Sequence, residues 1–490
     1  MKDFSTYRKN IIGNDLTFQS PYGEKKVLYA DWIASGRLYK PIEDFIASHL
    51  GPYVANTHTE TTLTGTTMTE AYHRAQSVIK DHVNAGPDDV LMAAGFGMTE
   101  VINKLQRIMG LRVPEQYKEH VKVEGDDRPL VIITHMEHHS NQISWNECEV
   151  DVRLIRRTDE GLPDLAHLQQ ILDENKTRKT KIGSFSACSN VTGIMTPYHQ
   201  MAEIMHKNGG LCFIDFAASA PYVGIDMHPQ NPLQKLDVIF FSPHKFLGGP
   251  GAPGIMIFDK SLYKLKVPDR PGGGTVLWTN PWGEQRYFDN VEVREDGGTP
   301  GFLQTIKAAL AILLKEDMGV EHIMEREHHY VNRVMDGLAK FPCLHMLEEN
   351  QRNRIGIVSF YCPGKHFNLI VKLLNDRFGI QTRGGCSCAG TYGHILLHVD
   401  REKSKEITYK INHGDLSDKP GWVRVSLHPT MNEDELDYLV ASIGDTLENY
   451  QKYAEDYVFD HSTAEFYHKN APVKPVELKR DFLSRLTTGD

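Results

Sequence analysis

The stretch VIFFSPHKFLGGPG, residues 238–251, sets a lysine between a short apolar run and a glycine-rich turn. Residues 238–241 are β-branched or aromatic, which favours a buried strand. In a partly desolvated position after that strand, Lys245 loses its preference for the ammonium form, and the amine is the form that condenses with an aldehyde. Ser242 and His244 beside it could bind a phosphate. On its own the tetrapeptide SPHK is more typical of an exposed loop lysine, so its meaning depends on the rest of the chain.

Other short apolar or β-branched runs surround this one, and stretches with helical spacing separate most of them. This alternation predicts an α/β fold, with a mostly parallel seven-stranded sheet in a large domain and helices on both of its faces. Ligands bind at the carboxyl ends of the strands in such sheets, and Lys245 follows one of those ends. The predicted strands are residues 90–94, 130–134, 152–155, 181–187, 211–216, 238–242 and 254–258.

A chain of 490 residues is long enough for at least two domains. After the sequence GTPG at residues 298–301 the pattern changes to a long helical stretch, followed by strand-like runs, which predicts a smaller α+β domain. The predicted units are a large ligand-binding domain over residues 31–300, a small domain from residues 1–30 and 301–452, and a C-terminal extension over residues 453–490.

Composition and charge argue against several classes of protein. The formal net charge of −10 repels the phosphate backbone of a nucleic acid. The sequence has no sustained Lys/Arg block interleaved with aromatic residues that would overcome this repulsion, so we do not expect nucleic acid as a partner. The first residues are polar and no apolar run reaches the roughly 18 residues needed to cross a bilayer, so we expect a cytoplasmic protein without a signal peptide or a membrane partner. Seven cysteines are too few and too scattered for a disulfide framework, which favours reduced thiols.

An acidic residue and a histidine also follow predicted strands. Asp215 ends the apolar run LCFID at residues 211–215, and its carboxylate could pair with the cationic ring nitrogen of pyridoxal phosphate (PLP), or it could cap a helix. His138, in HMEHHSN at residues 135–141, could stack on the ring of such a cofactor. The three histidines of this stretch could instead suggest zinc, but the spacing of a helical metal motif is absent and we predict no metal site.

The turn GFGMTE at residues 95–100 joins a predicted strand to a predicted helix. Free backbone N–H groups and the helix dipole favour an anion at such a position, so a phosphate could dock there. The third glycine of a dinucleotide-binding fingerprint is missing, and a plain strand-to-helix turn explains the sequence as well.

Taken together, these segments resemble the cysteine desulfurase and selenocysteine lyase family, which are class V aminotransferases with the type I fold of PLP enzymes. The resemblance extends from about Tyr29 to about Ile443. It implies a homodimer with PLP as the cofactor, bound by the large domain. The segments that carry it are YADWIAS at 29–35, MEHH at 136–139, SNVTG at 189–193, Asp215 and SPHK at 242–245.

The resemblance also implies roles for individual residues. Lys245 would bind PLP covalently, Asp215 would pair with its ring nitrogen, and His138 would stack on the ring. Asn190 would lie near the cofactor hydroxyl and the substrate carboxylate. The residues expected at phosphate groups are Thr99, Ser242 and His244 within one chain, and Thr299 across the dimer interface.

The sequence QTRGGCSCAG at residues 381–390 resembles the Arg-x-Gly-x-x-Cys-Ala motif of cysteine desulfurases and aligns Cys388 with their nucleophilic cysteine. A glycine-rich loop beside Arg383 can favour the thiolate, which is the attacking form. Arg424, in WVRVSL at residues 422–427, matches the family's arginine for the substrate carboxylate, a role that suits a bidentate guanidinium. Arg383 is expected to help bind the substrate.

Several positions depart from the family pattern. Ala218 replaces a glutamine, and Met98 replaces the first threonine of the phosphate loop, so some cofactor contacts must differ. Residues 399–421 exceed the family's short loop. They are polar and lack clear periodicity, so we expect an ordered loop or lid there.

A second cysteine, Cys386, lies two residues before Cys388. We interpret it as a small, semi-buried loop residue, with a second sulfur-handling thiol as the alternative. A zinc site would consume the proposed nucleophile, and its ligands would be Cys386, Cys388, His394 and His398.

The activity that the resemblance implies is removal of sulfur from L-cysteine, with Lys245 as the base at Cα and Cys388 as the attacking thiol. The products would be alanine and a persulfide on Cys388, and a sulfur-acceptor protein would be a partner. The alternatives are another class V reaction on the same cofactor, such as transamination, selenocysteine cleavage or β-elimination, and a non-catalytic scaffold with a PLP fold.

Overall fold

A sheet of seven strands forms the centre of the fold. The structure, a computed structural model, describes residues 2–57, 59–471 and 482. The predicted C-terminal extension over residues 453–490 therefore lies in part outside the described residues. Within 2–57 and 59–471, none of the helices combines the length and the apolar character needed to cross a membrane.

The strands, numbered in chain order, are β1 Thr17–Ser20, β2 Gly23–Lys26, β3 Leu28–Tyr29, β4 Asp89–Ala94, β5 Leu130–Ile133, β6 Asp151–Leu154, β7 Lys181–Ser186, β8 Leu211–Asp215, β9 Val238–Phe241, β10 Gly254–Asp259, β11 Val276–Thr279, β12 Gln285–Tyr287, β13 His345–Met346, β14 Ile357–Tyr361, β15 Ile380–Gln381, β16 Arg383–Gly385, β17 Trp422–Ser426, β18 Tyr457–Asp460 and β19 Glu465–His468. The α-helices are α1 Ser5–Arg8, α2 Lys40–Asp44, α3 Leu63–His82, α4 Met98–Ile108, α5 His139–Asn146, α6 Leu165–Glu174, α7 Tyr198–Lys207, α8 Val291–Glu295, α9 Phe302–Met318, α10 Val320–Leu338, α11 Phe367–Phe378, α12 Gly390–Leu396, α13 Arg401–Asn412, α14 Glu433–Glu448 and α15 Tyr450–Ala454.

The central sheet has the strand order β4, β10, β9, β8, β7, β5, β6. β10 runs antiparallel to both of its neighbours, and the other strands pair in parallel. β5 and β9 are apolar and buried at every position, which is typical of parallel strands covered on both faces. The predicted seven-stranded α/β fold is confirmed, and the predicted strands agree with the observed ones to within one residue at each end.

A second, antiparallel sheet follows later in the chain, in the order β13, β14, β17, β16. Arg383 of β16 stands opposite Arg424 of β17 in this sheet, so the two side chains share a face. The N-terminal segment joins this region, because β3 pairs with β15 and Ser426 N donates a hydrogen bond of 2.8 Å to Ala30 O. These contacts agree with a small domain built from both ends of the chain, and the domain limits stay a prediction.

The prediction of a loop over residues 399–421 is wrong for much of that range. Helix α13 fills Arg401–Asn412, and the Asp400 side chain caps it by accepting a hydrogen bond of 2.8 Å from Lys403 N. Ile407 is the buried residue of this helix. A helix that buries so little apolar surface leaves almost no periodic signal in the sequence.

The described part of the predicted C-terminal extension contains the hairpin β18–β19, which packs on α11 and the residue before it. Asn368 Nδ2 donates a hydrogen bond of 2.7 Å to Ala464 O, and the His366 ring lies 5.1 Å from the Phe459 ring. The hairpin also contacts the segment after α13, because Leu416 N donates to His461 O at 2.9 Å.

Candidate active site

A cavity of about 500 Å³ lies where strands of the central sheet end. Ser186 ends β7, Asp215 ends β8 and Ser242 follows β9, and all three line this cavity. The position agrees with the rule that α/β sheets bind ligands at the carboxyl ends of their strands. The predicted site residues in its lining are Thr99, His138, Asn190, Asp215, Ser242, His244, Lys245, Arg383, Cys388 and Arg424.

Thr299 is the predicted site residue that does not line this cavity. It is exposed, and its Oγ1 lies 3.5 Å from Asn56 Nδ2. The role foreseen for Thr299, at a phosphate across a dimer interface, stays a prediction.

Lys245 lies in a short 3-10 turn, Pro243–Lys245, directly after β9. Burial lowers the pKa of Lys245 to about 8, while the nearby Asp215 acts in the opposite direction and Arg424 adds to the lowering. An appreciable fraction of the side chain is therefore the uncharged amine near neutral pH. The position meets the requirement for an amine that attacks an aldehyde.

Two glycines allow close backbone approaches next to residues of the cavity lining. A Cβ on Gly36 would lie 1.9 Å from Phe246 O, directly after Lys245, so no larger residue fits there. A Cβ on Gly254 of β10 would lie 2.2 Å from Gly97 O, in the turn before α4. Both close approaches depend on the missing side chain.

Asp215 holds a buried carboxylate at the end of β8. Its Oδ1 accepts a hydrogen bond of 2.7 Å from Ala217 N. Burial raises the pKa of Asp215 to about 7, whereas the Ala217 N–H and the nearby Lys245 act to lower it. A cation placed beside this carboxylate would favour its ionised form and would itself be held in its charged form.

His138 caps the N-terminus of α5. Its Nδ1 accepts a hydrogen bond of 3.1 Å from Ser140 N, which fixes the ring and leaves the proton on Nε2. Burial lowers the pKa of His138 to about 3, and the charge of Lys245 acts in the same direction, so the ring is neutral. A neutral, fixed imidazole at the cavity is suited to stacking on an aromatic ring.

The N-terminus of α4 forms a polar corner of the cavity. Met98 N donates a hydrogen bond of 2.9 Å to Ser242 Oγ, and the hydroxyl oxygens of Thr99 and Ser140 lie 2.6 Å apart. His244 also lines the cavity, and burial lowers its pKa to about 4. Hydroxyl groups and a helix N-terminus together favour an anion at this corner.

Asp31 connects the two predicted arginines, and its role was not predicted from the sequence. Its Oδ1 accepts a hydrogen bond of 2.8 Å from Arg424 Nη2, and its Oδ2 accepts one of 3.0 Å from Arg383 Nε. Arg424 Nη1 also donates to Asn190 O at 3.2 Å. The carboxylate fixes both guanidinium groups at the cavity, and the only hint in the sequence is its place within YADWIAS.

Residues 386–390, called here the cysteine loop, bring Cys388 to the cavity. Ser387 and Cys388 have φ values of 51° and 57°, a left-handed conformation that costs a non-glycine residue about 1–3 kcal/mol. Asn190 Nδ2 donates a hydrogen bond of 2.7 Å to Ser387 O. Such strained residues cluster at functional sites, where the surrounding contacts hold them in place.

Cys386 faces a different environment from Cys388. It is partly buried and packs against an apolar cluster that includes Met136 and Trp422, whereas Cys388 is exposed and lines the cavity. The packing agrees with the interpretation of Cys386 as a semi-buried loop residue.

Glu137 is a buried residue beside the site, and its role was also not predicted from the sequence. Its carboxylate accepts hydrogen bonds of 2.6 Å from Thr134 Oγ1, 2.7 Å from Asn141 Nδ2 and 2.6 Å from Ser186 Oγ. Burial raises the pKa of Glu137, and these donors act against that effect. Glu137 therefore ties the ends of β5 and β7 to α5, next to His138.

Neither disulfides nor a metal-binding cluster accompany this site in the described chain. All the cysteines are free thiols. Across residues 2–57 and 59–471, no three His, Cys, Asp or Glu side chains are grouped so that they could hold a metal ion.

Comparison with known proteins gives one family. The model described as aminotransferase class-V matches residues 28–439. A probable cysteine desulfurase from Halalkalibacterium halodurans is 27% identical over 371 residues, which cover 74% of this chain and 84% of that protein. A cysteine desulfurase from Haloferax volcanii is 24% identical over 390 residues, which cover 77% of this chain and 84% of that protein.

Two solved structures share the fold. An apo cysteine desulfurase from Thermococcus onnurineus has a TM-score of 0.72 at 20% identity, over 92% of this chain and 99% of that one. A cysteine desulfurase from Escherichia coli has a TM-score of 0.65 at 22% identity, over 88% of this chain and 97% of that one. Likeness at this level of identity establishes the fold, which is the type I fold of PLP enzymes. Because the family model spans most of its length, the chain belongs to the aminotransferase class-V family of PLP-dependent enzymes.

Proposed function

We propose that this chain is a cysteine desulfurase, which takes sulfur from L-cysteine and leaves alanine and a persulfide on Cys388. The observation that carries the proposal is that Lys245, Asp215 and Cys388 line one cavity. Two arginines line the same cavity and could recognise an amino-acid carboxylate.

The residues at the cavity fit PLP. Lys245 supplies an amine for its aldehyde, Asp215 a carboxylate for its ring nitrogen, and His138 a neutral ring for stacking. Asn190 Oδ1 is buried without a hydrogen-bond partner among the described residues, as expected of an acceptor that awaits a ligand. The phosphate would be held at the polar corner by Thr99, Ser242 and His244.

When bound, PLP supplies an electron-accepting ring that stabilises negative charge at the substrate Cα and so activates the Cβ–S bond. Lys245, with its lowered pKa, takes the Cα proton and can return a proton to carbon. Arg424 and Arg383, held by Asp31, bind the substrate carboxylate with Asn190. The Cys388 thiolate attacks the substrate sulfur, so that an S–S bond forms as the C–S bond breaks.

The location of Cys388 supports this proposal. Cys388 lines the cavity together with Lys245 and Arg424, so its thiol opens on the same space as the proposed base and the proposed carboxylate-binding arginine. The residue is also exposed, so a sulfur-acceptor protein could reach a persulfide formed there. We include such a protein among the proposed partners.

The test is a product screen with the PLP-loaded protein. With L-cysteine we expect alanine and protein-bound persulfide in equal amounts during the first turnover, because each sulfur removed is left on Cys388. The screen includes L-selenocysteine and L-cysteine sulfinate, and it measures alanine, pyruvate and 2-oxo acids. Pyruvate or a 2-oxo acid as the main product would point to β-elimination or transamination, and a protein that binds no PLP would point to a scaffold.

We also propose a homodimer in which Thr299 serves the partner's phosphate site. Large apolar side chains stand in solvent in the single chain, with Phe96 at the cavity 91% exposed, Trp282 83% exposed and Leu63 73% exposed. A second copy of the chain could bury such side chains at its interface. Sedimentation equilibrium of the PLP-loaded protein should give twice the mass of one chain, and an active species with the mass of one chain would contradict the proposal.

A further inference from the structure

The cysteine loop has a backbone conformation that needs support from elsewhere. Ser387 and Cys388 are both left-handed, which non-glycine residues rarely adopt, let alone in succession. The loop follows β16 and leads into α12. Without external contacts it would relax, and the direction of the Cys388 thiol would change.

His139 holds this loop at two consecutive peptide groups. Its backbone N donates a hydrogen bond of 2.8 Å to Cys388 O, and its Nε2 accepts one of 2.9 Å from Gly390 N. The fit is close, because a Cβ on Gly390 would lie 3.1 Å from His139 Nε2. One residue thus fixes the chain immediately after the Cys388 Cα.

The N-terminus of α5 contacts both the cavity and the cysteine loop. His138 caps α5 and lines the cavity, and His139 is the first residue of that helix. The position of the cysteine loop is therefore tied through one peptide bond to the residue proposed to stack on the cofactor.

The imidazole of His139 must be neutral for its Nε2 to accept a hydrogen bond. Burial lowers the pKa of His139, and the charge of Lys419 acts in the same direction. The His138 ring lies 6.3 Å away, and burial lowers its pKa to about 3, so it brings no charge. The surroundings of His139 thus favour the acceptor form.

We propose that His139 is a positioning residue, which keeps the cysteine loop in its left-handed conformation so that the Cys388 thiol stays at the cavity for sulfur transfer. The proposal rests on the function proposed for Cys388. The support of the loop can be measured without any turnover.

The experiment compares three variants of the PLP-loaded protein. His139→Leu keeps the bulk but removes the acceptor, and His139→Gln restores an acceptor where Nε2 lies. The matched control is Thr391→Val, which removes the 2.9 Å hydrogen bond from Thr391 Oγ1 to Gln142 Oε1, another contact between α5 and the start of α12. Hydrogen exchange is followed by mass spectrometry in a peptide covering residues 386–396, together with kcat, KM and the absorbance of the bound cofactor.

We expect amide exchange in this peptide to be about ten-fold faster in His139→Leu, as for the loss of one protecting hydrogen bond, and close to wild type in His139→Gln. The kcat of alanine formation should fall by about 10- to 100-fold in His139→Leu, the size of a small misplacement of a reacting group, with little change in KM or absorbance. Thr391→Val should behave like wild type.

Unchanged exchange in His139→Leu would overturn the proposal, as would failure of Gln to restore it. A loss of cofactor absorbance that parallels the loss of kcat would also overturn it, because His139 would then act through the cofactor site. If the wild-type protein forms no alanine, the proposed function fails, and the exchange measurements alone still decide whether His139 holds the loop.

Discussion

Lys245→Ala is expected to abolish both alanine formation and the absorbance near about 420 nm that a lysine-bound PLP gives. Lys245 is the one lysine that lines the cavity in the described part of the chain. Burial lowers its pKa to about 8, so the amine needed to attack the aldehyde is available near neutral pH. Because the same side chain is the proposed base at Cα, turnover should fall by more than about 1,000-fold. Absorbance spectra and an alanine assay measure the two effects.

Two further variants serve as controls. One tests whether the positive charge of Lys245 is enough without its reactive amine, and the other tests whether loss of any buried lysine has the same effect. Lys245→Arg keeps a positive charge but cannot condense with an aldehyde, so it should also lack the absorbance. Lys181→Met removes another buried lysine, whose Nζ donates to Arg178 O at 2.9 Å at the start of β7, away from the cavity. This control should keep the absorbance. If Lys245→Ala retained it, the assignment of Lys245 would be wrong.

The central sheet could be predicted because its strands carry their own signal. In β5 and β9 every residue is buried and apolar, so the amino-acid pattern alone marks the strand and its ends. The place of two cavity residues could be predicted from the same strands, since Asp215 and Ser242 lie at or just after strand ends. The roles expected of these residues came from the family resemblance and not from the strand pattern.

The residues that were missed depend on contacts between distant parts of the chain. Asp31 is 352 positions from Arg383 and 393 positions from Arg424, and no spacing within the sequence connects them. His139 stands beside His138 in the sequence HMEHHSN. Which of the two rings faces the cavity and which faces the cysteine loop depends on where α5 begins, at His139, and on where the loop lies.

Helix α13 was missed for a different reason. It is polar almost throughout and buries Ile407, so its stability comes from the Asp400 cap and surface pairs rather than from an apolar stripe. One such pair joins Lys403 to Glu406 at 2.9 Å. Periodicity of apolar residues does not detect a helix of this kind.

Cys388→Ser is expected to keep the cofactor absorbance and to lose alanine formation from L-cysteine by more than about 100-fold. A serine hydroxyl fits the strained position but is not ionised near neutral pH and cannot take up the sulfur as a persulfide. The cofactor contacts proposed for Lys245, Asp215 and His138 do not involve the Cys388 side chain, so PLP should bind as in the wild type. Persulfide detection by mass spectrometry on the peptide that contains residue 388 completes the measurement.

Cys386→Ser is the matched control, because Cys386 is two residues away in the same loop and packs against the apolar cluster that includes Trp422 and Met136 rather than lining the cavity. It should retain most of the activity and carry the persulfide on Cys388 only. Loss of activity in Cys386→Ser, with folding and absorbance intact, would favour the alternative of a second sulfur-handling thiol. Alanine formation that survives in Cys388→Ser would refute attack by this thiol and leave a class V reaction that needs Lys245 and Asp215 alone.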